Sequence, residues 1–319
     1  MPEAEEVYID PQIAQILKEA AEAGLAPMCE LTVAEARAQM NRTMAVWNEP
    51  LPPMADVMHR VIPGPAGGIA ARLLRPRPEP DLPVIVYFHG GGWVLGSLDT
   101  HHRLMRMLAR ASGAAVLGVD YRLAPEAPFP APLDDCLAAI RWLRGTGKEL
   151  GLDPERMAVA GDSAGANLAL ASLLALRDAG EPLPRGAALF YGCYASRLDA
   201  PSYRAFGDGN YRLSTAEMAW FWSHFLGDTR PGHPLAEPLH ADLEGLPPLY
   251  VLGAALDPLA DDSRALCRRL ADAGVAHQFD EWPGVVHGFL QMTARCDAAT
   301  QAMTRAGNVI RDMLATSPA

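Results

Sequence analysis

Five consecutive residues, Gly161-Asp162-Ser163-Ala164-Gly165, constrain this chain more than any other stretch. They fit the pattern G-x-S-x-G and stand between a short apolar run, Met157 to Ala160, and a long apolar stretch that begins at Ala164. A serine on so sharp a strand-to-helix turn has strained backbone dihedrals, and the positions two before and two after it approach so closely that only small residues fit. Glycine at 161 and 165 meets that demand. The strand end lifts the Ser163 hydroxyl out of the sheet, while the helix behind it aims its positive dipole end and the Ala164 N–H at the space above the serine. An oxyanion placed there would be stabilised.

The rest of the chain supplies the sheet that such a turn requires. Asp56 to Ile62 and Ile69 to Leu74 read as two strands around the break Pro63-Gly64-Pro65 and Gly67-Gly68. Val84 to Phe88, Ala115 to Val119, Met157 to Ala160, Ala187 to Tyr191 and Leu249 to Leu252 are short runs of continuous apolar character, as expected of strands covered on both faces, and Ala276 to Trp282 is strand-like. Helical patterns lie between them at about 100 to 112, 133 to 144, 164 to 178 and 260 to 273, with a last one near 295 to 314. Gly113, Gly145, Gly180 and Gly274 read as their stops. Strand, helix, strand repeated in this way predicts an α/β fold with a mainly parallel sheet and right-handed crossovers.

Two segments stand outside that repeat. The first fifty residues predict two helices. One is opened by Asp10-Pro11 and closed by Gly24, and the other starts from Thr32 and Glu35 at capping-box spacing, with Val33, Ala36, Met40, Met44 and Trp47 as its apolar stripe. Between Tyr191 and Leu249 lie more than fifty residues, too many for an ordinary connection. That insertion carries a helix opened by Ser214 and Glu217, with Met218, Phe221, Trp222 and Phe225 as large apolar groups. The expected division is a helical cap from residues 1–50 and 195–236 over an α/β core from residues 51–194 and 237–319.

His89-Gly90-Gly91-Gly92-Trp93 follows the strand Val84 to Phe88. Three successive glycines let a loop turn sharply and point consecutive N–H groups at one place, an arrangement whose single donors are worth about 3 to 4 kcal/mol of barrier when they meet an oxyanion. A phosphate loop would need a lysine and a following Ser or Thr, and neither stands in register. A serine hydroxyl is barely nucleophilic until a base takes its proton, so a histidine and an orienting carboxylate are required. His287, between the strand-like Ala276 to Trp282 and the last helix, suits the base. In folds that carry this turn, the acid lies between serine and histidine along the chain. Asp257 fits, because it follows the apolar run Leu249 to Leu252 and precedes Pro258, which keeps it out of the next helix. Asp261 and Asp262 read as partners of that helix's own dipole.

The motifs HGGGW, GDSAG, DPL and HGF, with Asp120-Tyr121-Arg122-Leu123-Ala124-Pro125-Glu126 between the first two, resemble the hormone-sensitive-lipase-like bacterial carboxylesterases of the α/β-hydrolase fold over residues 56 to 315. The resemblance implies Ser163, Asp257 and His287 as a triad, and Gly91, Gly92 and Ala164 as donors of the oxyanion N–H groups. His89 would brace the glycine loop. It further implies a helical cap, a small-molecule ester substrate of short-to-medium acyl length, acyl transfer through an acyl-enzyme intermediate, and neither cofactor nor metal. An amidase or lactonase uses the same triad, and a non-catalytic ligand receptor can occupy the same fold. Oligomeric state stays open, a homodimer through the sheet edge and last helix being the form that the resemblance implies.

Composition narrows the partners. Twenty-seven Lys and Arg against 38 Asp and Glu leave a net charge of −11, which repels nucleic acid and anionic membranes. Met1 to Tyr8 carries three glutamates and no basic residue, so no secretory signal or membrane span is read there and a cytoplasmic location is expected. The five cysteines are odd in number, widely spaced and without a Cys-x-x-Cys, so they read as reduced small hydrophobes. His101-His102 after Asp99 reads as a solvated helix start rather than a metal site. Trp93, Tyr194, Phe206, Met40, Phe221 and Trp222 are candidates for lining the substrate pocket. Arg197, Arg204 and Arg212 are candidates for meeting a substrate carboxylate, against the usual solvent-facing role of scattered arginines.

Overall fold

A computed structural model describes residues 7–315. One eight-stranded sheet runs in the order β1-β2-β4-β3-β5-β6-β7-β8, with β1 Asp56–Gly64, β2 Gly67–Arg75, β3 Leu82–Phe88, β4 Ala115–Val119, β5 Leu152–Asp162, β6 Ala187–Phe190, β7 Leu249–Leu256 and β8 His277–Val286. The β1-β2 and β2-β4 pairs are antiparallel, and every pair from β4 to β8 is parallel. The apolar runs explain why. Along β3, Val84, Val86 and Phe88 enter one core while Ile85 and Tyr87 enter the other, so both faces need cover.

Helices supply it. On the Val84 side pack α4 Ala131–Thr146, α5 Ala164–Asp178 and α8 Ala260–Asp272, and on the Ile85 side α3 His102–Ser112 and α9 Asp297–Ala315. Outside these layers stand α1 Pro11–Ala23, α2 Val33–Asn48, α6 Pro201–Phe206 and α7 Thr215–Leu226. Asp10 caps α1 through the N–H groups of Gln12 and Ile13, and Gly24 ends it in the left-handed conformation. Both α2 and α7 open on complete capping boxes, Thr32 with Glu35 and Ser214 with Glu217. Glu217 also accepts from the Met28 N–H at 3.2 Å, which joins the N-terminal segment to the insertion.

The insertion is held at its base. Asn167, wholly buried in α5, donates through Nδ2 to the carbonyls of Cys193 and Ala236, each at 2.9 Å. Buried Glu237 accepts from the N–H groups of Ser196 and Gly232. Between these anchors α7 turns its large side chains inward. Phe225 stacks on Trp93 with 4.0 Å between centroids and meets Phe129 edge-on at 5.7 Å.

Some boundaries differ from the sequence expectation. The break at residues 63–68 is only a two-residue turn, because Gly64 and Gly67 pair with each other and extend both strands. Gly145 does not stop α4, which runs on to Thr146 and into a short 3-10 turn, Gly147–Leu150, closed by left-handed Gly151. The last helix starts at Asp297, after a separate 3-10 turn at Phe289–Met292. All five cysteines are unpaired, and among the described residues no helix is long and apolar enough to cross a membrane.

Phe225 has no exposed surface and fills the space between α7 and the glycine loop. Phe225→Ala is expected to cost about 3 to 5 kcal/mol, read as a lowered urea midpoint. A loss below about 1 kcal/mol would show that the site collapses around the gap.

Candidate active site

Ser163 joins the end of β5 to the start of α5 with φ 54° and ψ −120°, a conformation that an L-residue holds only when its surroundings impose it. The surroundings do so here. A Cβ on Gly165 would collide with the carbonyl oxygen of Phe88, and one on Gly161 with the Gly165 backbone, so glycine at both positions lets β3, β5 and α5 meet. Ser163 Oγ lies 2.9 Å from His287 Nε2, and His287 Nδ1 lies 2.8 Å from Asp257 Oδ2. Asp257, in the turn after β7, is fully buried, and its other oxygen accepts from the Leu259 N–H at 2.8 Å. An ionised carboxylate can only accept, so the imidazole proton sits on Nδ1 and Nε2 is left to accept from the serine hydroxyl. The arrangement can remove a proton from Ser163.

The glycine loop stands beside it. Gly91, Gly92 and Trp93 have φ of 122°, 60° and 60°, and the ring of Phe221 fills the space into which a Cβ on Gly92 would project. Asp162, buried next to Ser163, accepts from the Gly90 N–H at 2.9 Å and from the Tyr87 hydroxyl at 2.5 Å. Burial favours its neutral form, yet the charge and hydrogen bonding of His101, with the Tyr87 and Gly90 donors, hold its carboxyl below the usual range. His89 points away from the serine. Its Nδ1 lies 2.9 Å from the Gly90 carbonyl, its ring stacks on Tyr121 at 4.4 Å, and burial, with His101 adding to it, lowers its pKa to about 3. Among the described residues the N–H groups of Gly91, Gly92 and Ala164 have no hydrogen-bond acceptor. For Ala164 this follows from its place in the first helical turn.

The pocket candidates separate. Phe221 lies against the glycine loop. Trp93 and Trp222, 4.5 Å apart and both buried, are packed with Phe225, and Tyr194 is wholly buried, its N–H donating to Asp262 at 2.6 Å. Met40 and Phe206 are partly buried, Phe206 edge-on to Tyr211 at 5.1 Å. The arginines separate too: Arg197 pairs with Asp199 in solvent, Arg204 reaches the Asp199 carbonyl, and Arg212 turns inward.

One expectation needs correction. His101 is not solvated. It is 1% exposed, with Nδ1 at 2.8 Å from Thr100 Oγ1 and Nε2 at 2.8 Å from Gln291 Nε2 and 3.3 Å from Asp162 Oδ2. His102 faces Arg106 instead, so the pair does not converge on one point. Asp261 and Asp262 lie in the first turn of α8, as expected, and their carboxylates hold the insertion as well. Asp261 accepts from the Ser202 N–H, and Asp262 accepts from those of Tyr194 and Ala195 while burial pushes it up to about 7. Tyr87, His101, Tyr191 and Gln291 escaped the sequence reading. A buried carboxylate beside a candidate nucleophile must have partners, and that was the only available signal for the first two. Tyr191 packs edge-on to His287 at 5.1 Å.

Backbone strain gathers at the same place. Among the described residues five non-glycines have left-handed φ, and four of them, Trp93, Ser163, Tyr191 and Arg212, lie in the glycine loop, at the serine or beside the His287 loop.

Known proteins resemble this chain in both sequence and fold. A family model described as the alpha/beta hydrolase fold matches residues 85–291. An acetyl-hydrolase of Streptomyces hygroscopicus is 42% identical over 221 residues, 69% of this chain and 72% of its own length. The carboxylesterase NlhH of Mycobacterium tuberculosis is 40% identical over 229 residues, 70% of this chain and 72% of its own. Among solved structures, a thermostable esterase from Pseudomonas putida superimposes with a TM-score of 0.93 at 33% identity, over 98% of this chain and 100% of that one.

His89 makes stability depend on pH. Folded, it stays neutral down to about 3, whereas its unfolded reference value is 6.5, so across that interval unfolding takes up a proton. Its contribution is complete above the upper value and is lost as pH falls toward the lower. His89→Gln, which cannot titrate, is expected to lose less stability than the wild type between about pH 7 and about pH 4, compared by urea unfolding. Equal losses in the two proteins would contradict the assignment.

Proposed function

Since the chain belongs to the alpha/beta hydrolase fold family, we propose that Ser163, Asp257 and His287 are its catalytic triad and that Gly91, Gly92 and Ala164 supply the oxyanion N–H groups. The protein is a serine carboxylic-ester hydrolase akin to the hormone-sensitive-lipase-like bacterial carboxylesterases, acting on short-to-medium acyl esters. The observation that carries the residue assignment is the unbroken relay from Ser163 through His287 to Asp257, at 2.9 and 2.8 Å. His287 takes the serine proton as Oγ attacks the ester carbonyl, and the carbonyl oxygen, now negative, turns toward the three N–H groups. The tetrahedral intermediate collapses, His287 protonates the departing alcohol, and the acyl group stays on Ser163. Water then repeats the sequence to release the acid. Asp257 holds the imidazole tautomer and offsets the charge of the imidazolium without taking the proton.

In this reading residues 1–50 and 195–236 act as the cap and residues 51–194 and 237–319 as the catalytic core, of which 1–6 and 316–319 lie outside the described residues. Phe221, from the insertion, resting on Gly92 supports that division, as does the Met28 to Glu217 link between the two cap segments. The name of the Streptomyces relative, an acetyl-hydrolase, favours the short end of the acyl range.

A p-nitrophenyl ester series from acetate to palmitate tests this reading. Short chains are expected to react fastest, and Ser163→Ala to lower kcat by at least about 10⁴-fold. Asp257→Asn, which leaves the histidine in the wrong tautomer, is expected to lose about 10⁴-fold. A folded wild type inert toward the whole series would sink the proposal. His287→Gln is expected to lower kcat about as far as Ser163→Ala does, and a variant that keeps wild-type turnover would remove His287 as the base.

A further inference from the structure

Arg212 stands in the turn between α6 and α7, and its guanidinium faces the loop that carries His287. A Cβ on Gly288, the residue after the histidine, would lie 3.9 Å from Arg212 Cζ, Nε and Nη2. Its backbone is left-handed at φ 77°, although it is neither glycine nor asparagine. The guanidinium has five donors, yet its acceptors are two distant atoms on Nη2 alone, Gln291 Oε1 at 3.4 Å and Met44 Sδ at 3.9 Å. Among the described residues, Nε and Nη1 have no acceptor and no carboxylate pairs with the group. Glu217 contributes to the local field, but its oxygens are held by the N–H groups of Ser214 and Met28 and by the Ser214 hydroxyl.

A cation that cannot shed its proton is costly to hold in a partly buried place unless an anion meets it there. Nη2 with Nε, or Nη2 with Nη1, forms the planar fork that binds a carboxylate with two parallel hydrogen bonds, and the two long contacts on Nη2 are weak enough to give way. His287 must reach the departing oxygen, so a group packed beside the residue that follows it lies on the alcohol side of the scissile bond. We propose that Arg212 is a subsite for a carboxylate carried on the alcohol portion of the ester, so that this hydrolase favours esters of hydroxy acids over neutral esters of the same size. The proposal rests on the ester-hydrolase reading above. It runs against the chain's net charge of −11, which repels anions at a distance, and it places the attraction at one partly buried point.

The experiment compares acetoxybenzoate with its methyl ester, near neutral pH where the free acid is ionised. Each kcat/KM is divided by the rate of alkaline hydrolysis, so that intrinsic reactivity cancels. The wild type is expected to favour the anionic ester. Arg212→Asn, whose side chain tolerates the left-handed backbone, should lower the anionic-to-neutral ratio by at least about tenfold. Arg212→Lys should restore part of it, and Arg212→Glu should invert the preference. Turnover of the neutral ester reports folding in every variant. A wild type without preference, or a ratio that Arg212→Asn and Arg212→Glu leave unmoved, overturns the subsite alone. A wild type that hydrolyses neither ester, nor p-nitrophenyl acetate, overturns the ester-hydrolase reading and the subsite with it.

Discussion

The Asp162 carboxylate is the contact on which the rest of the site depends. The serine turn and the glycine loop come from β5 and β3, neighbouring parallel strands in which Phe88 pairs with Gly161, so both chains leave the sheet at the same level. The ladder runs on to pair Asp162 with Phe190 and to bond the Ser163 N–H to the Phe190 carbonyl, but among the described residues no backbone hydrogen bond past that point joins the serine turn to the glycine loop. Asp162 does, because one oxygen accepts from Gly90 and Tyr87 while the other faces His101. Losing one partner of such a buried charge costs about 3 to 5 kcal/mol, far more than an exposed ion pair is worth. The hydroxyl and the loop N–H groups are thus held in mutual register before any substrate arrives, the condition under which fixed dipoles stabilise a developing charge.

The parts of this molecule legible in its sequence are those with local causes. The turn around Ser163 could be read because close approach restricts residues 161 and 165 to glycine, and the helices α1, α2 and α7 because their caps lie within three residues of the groups they bind. Parallel strands could be read because cover on both faces forces continuous apolar runs. What escaped depends on contacts between residues far apart in the chain. His101 meets Gln291 across 190 positions and Tyr87 meets Asp162 across 75, and neither spacing leaves any periodic trace. Asp261 and Asp262 obey the local rule for the start of a helix, but nothing local shows that their carboxylates also hold the insertion.

Strain and burial at the site draw on the same reserve. Each left-handed non-glycine costs of order 1 to 3 kcal/mol, and four of them gather around the serine, the glycine loop and the histidine loop. Two well-packed cores, one on each face of the sheet, supply the over-determination that keeps those conformations in place. Phe225 and Trp93 belong to both accounts, since their stacking fills the core beneath α7 and also fixes the end of the glycine loop.

Asn167 gives the insertion a property of a different kind. Its single amide group clasps Cys193 and Ala236, the two ends of the segment, and Glu237 closes the same neck. Everything distal to that clasp is, in effect, a closed ring attached to a finished sheet. Lengthening an exposed turn of that ring costs little, about 0.6 kcal/mol for each doubling, whereas α7 is fixed by Phe225 on Trp93 and α6 by Ser202 on Asp261. The exposed turns of the segment proposed as the cap are therefore the part of the chain that mutation can lengthen or shorten, so descendants of one sheet can diversify there while the sheet itself is inherited.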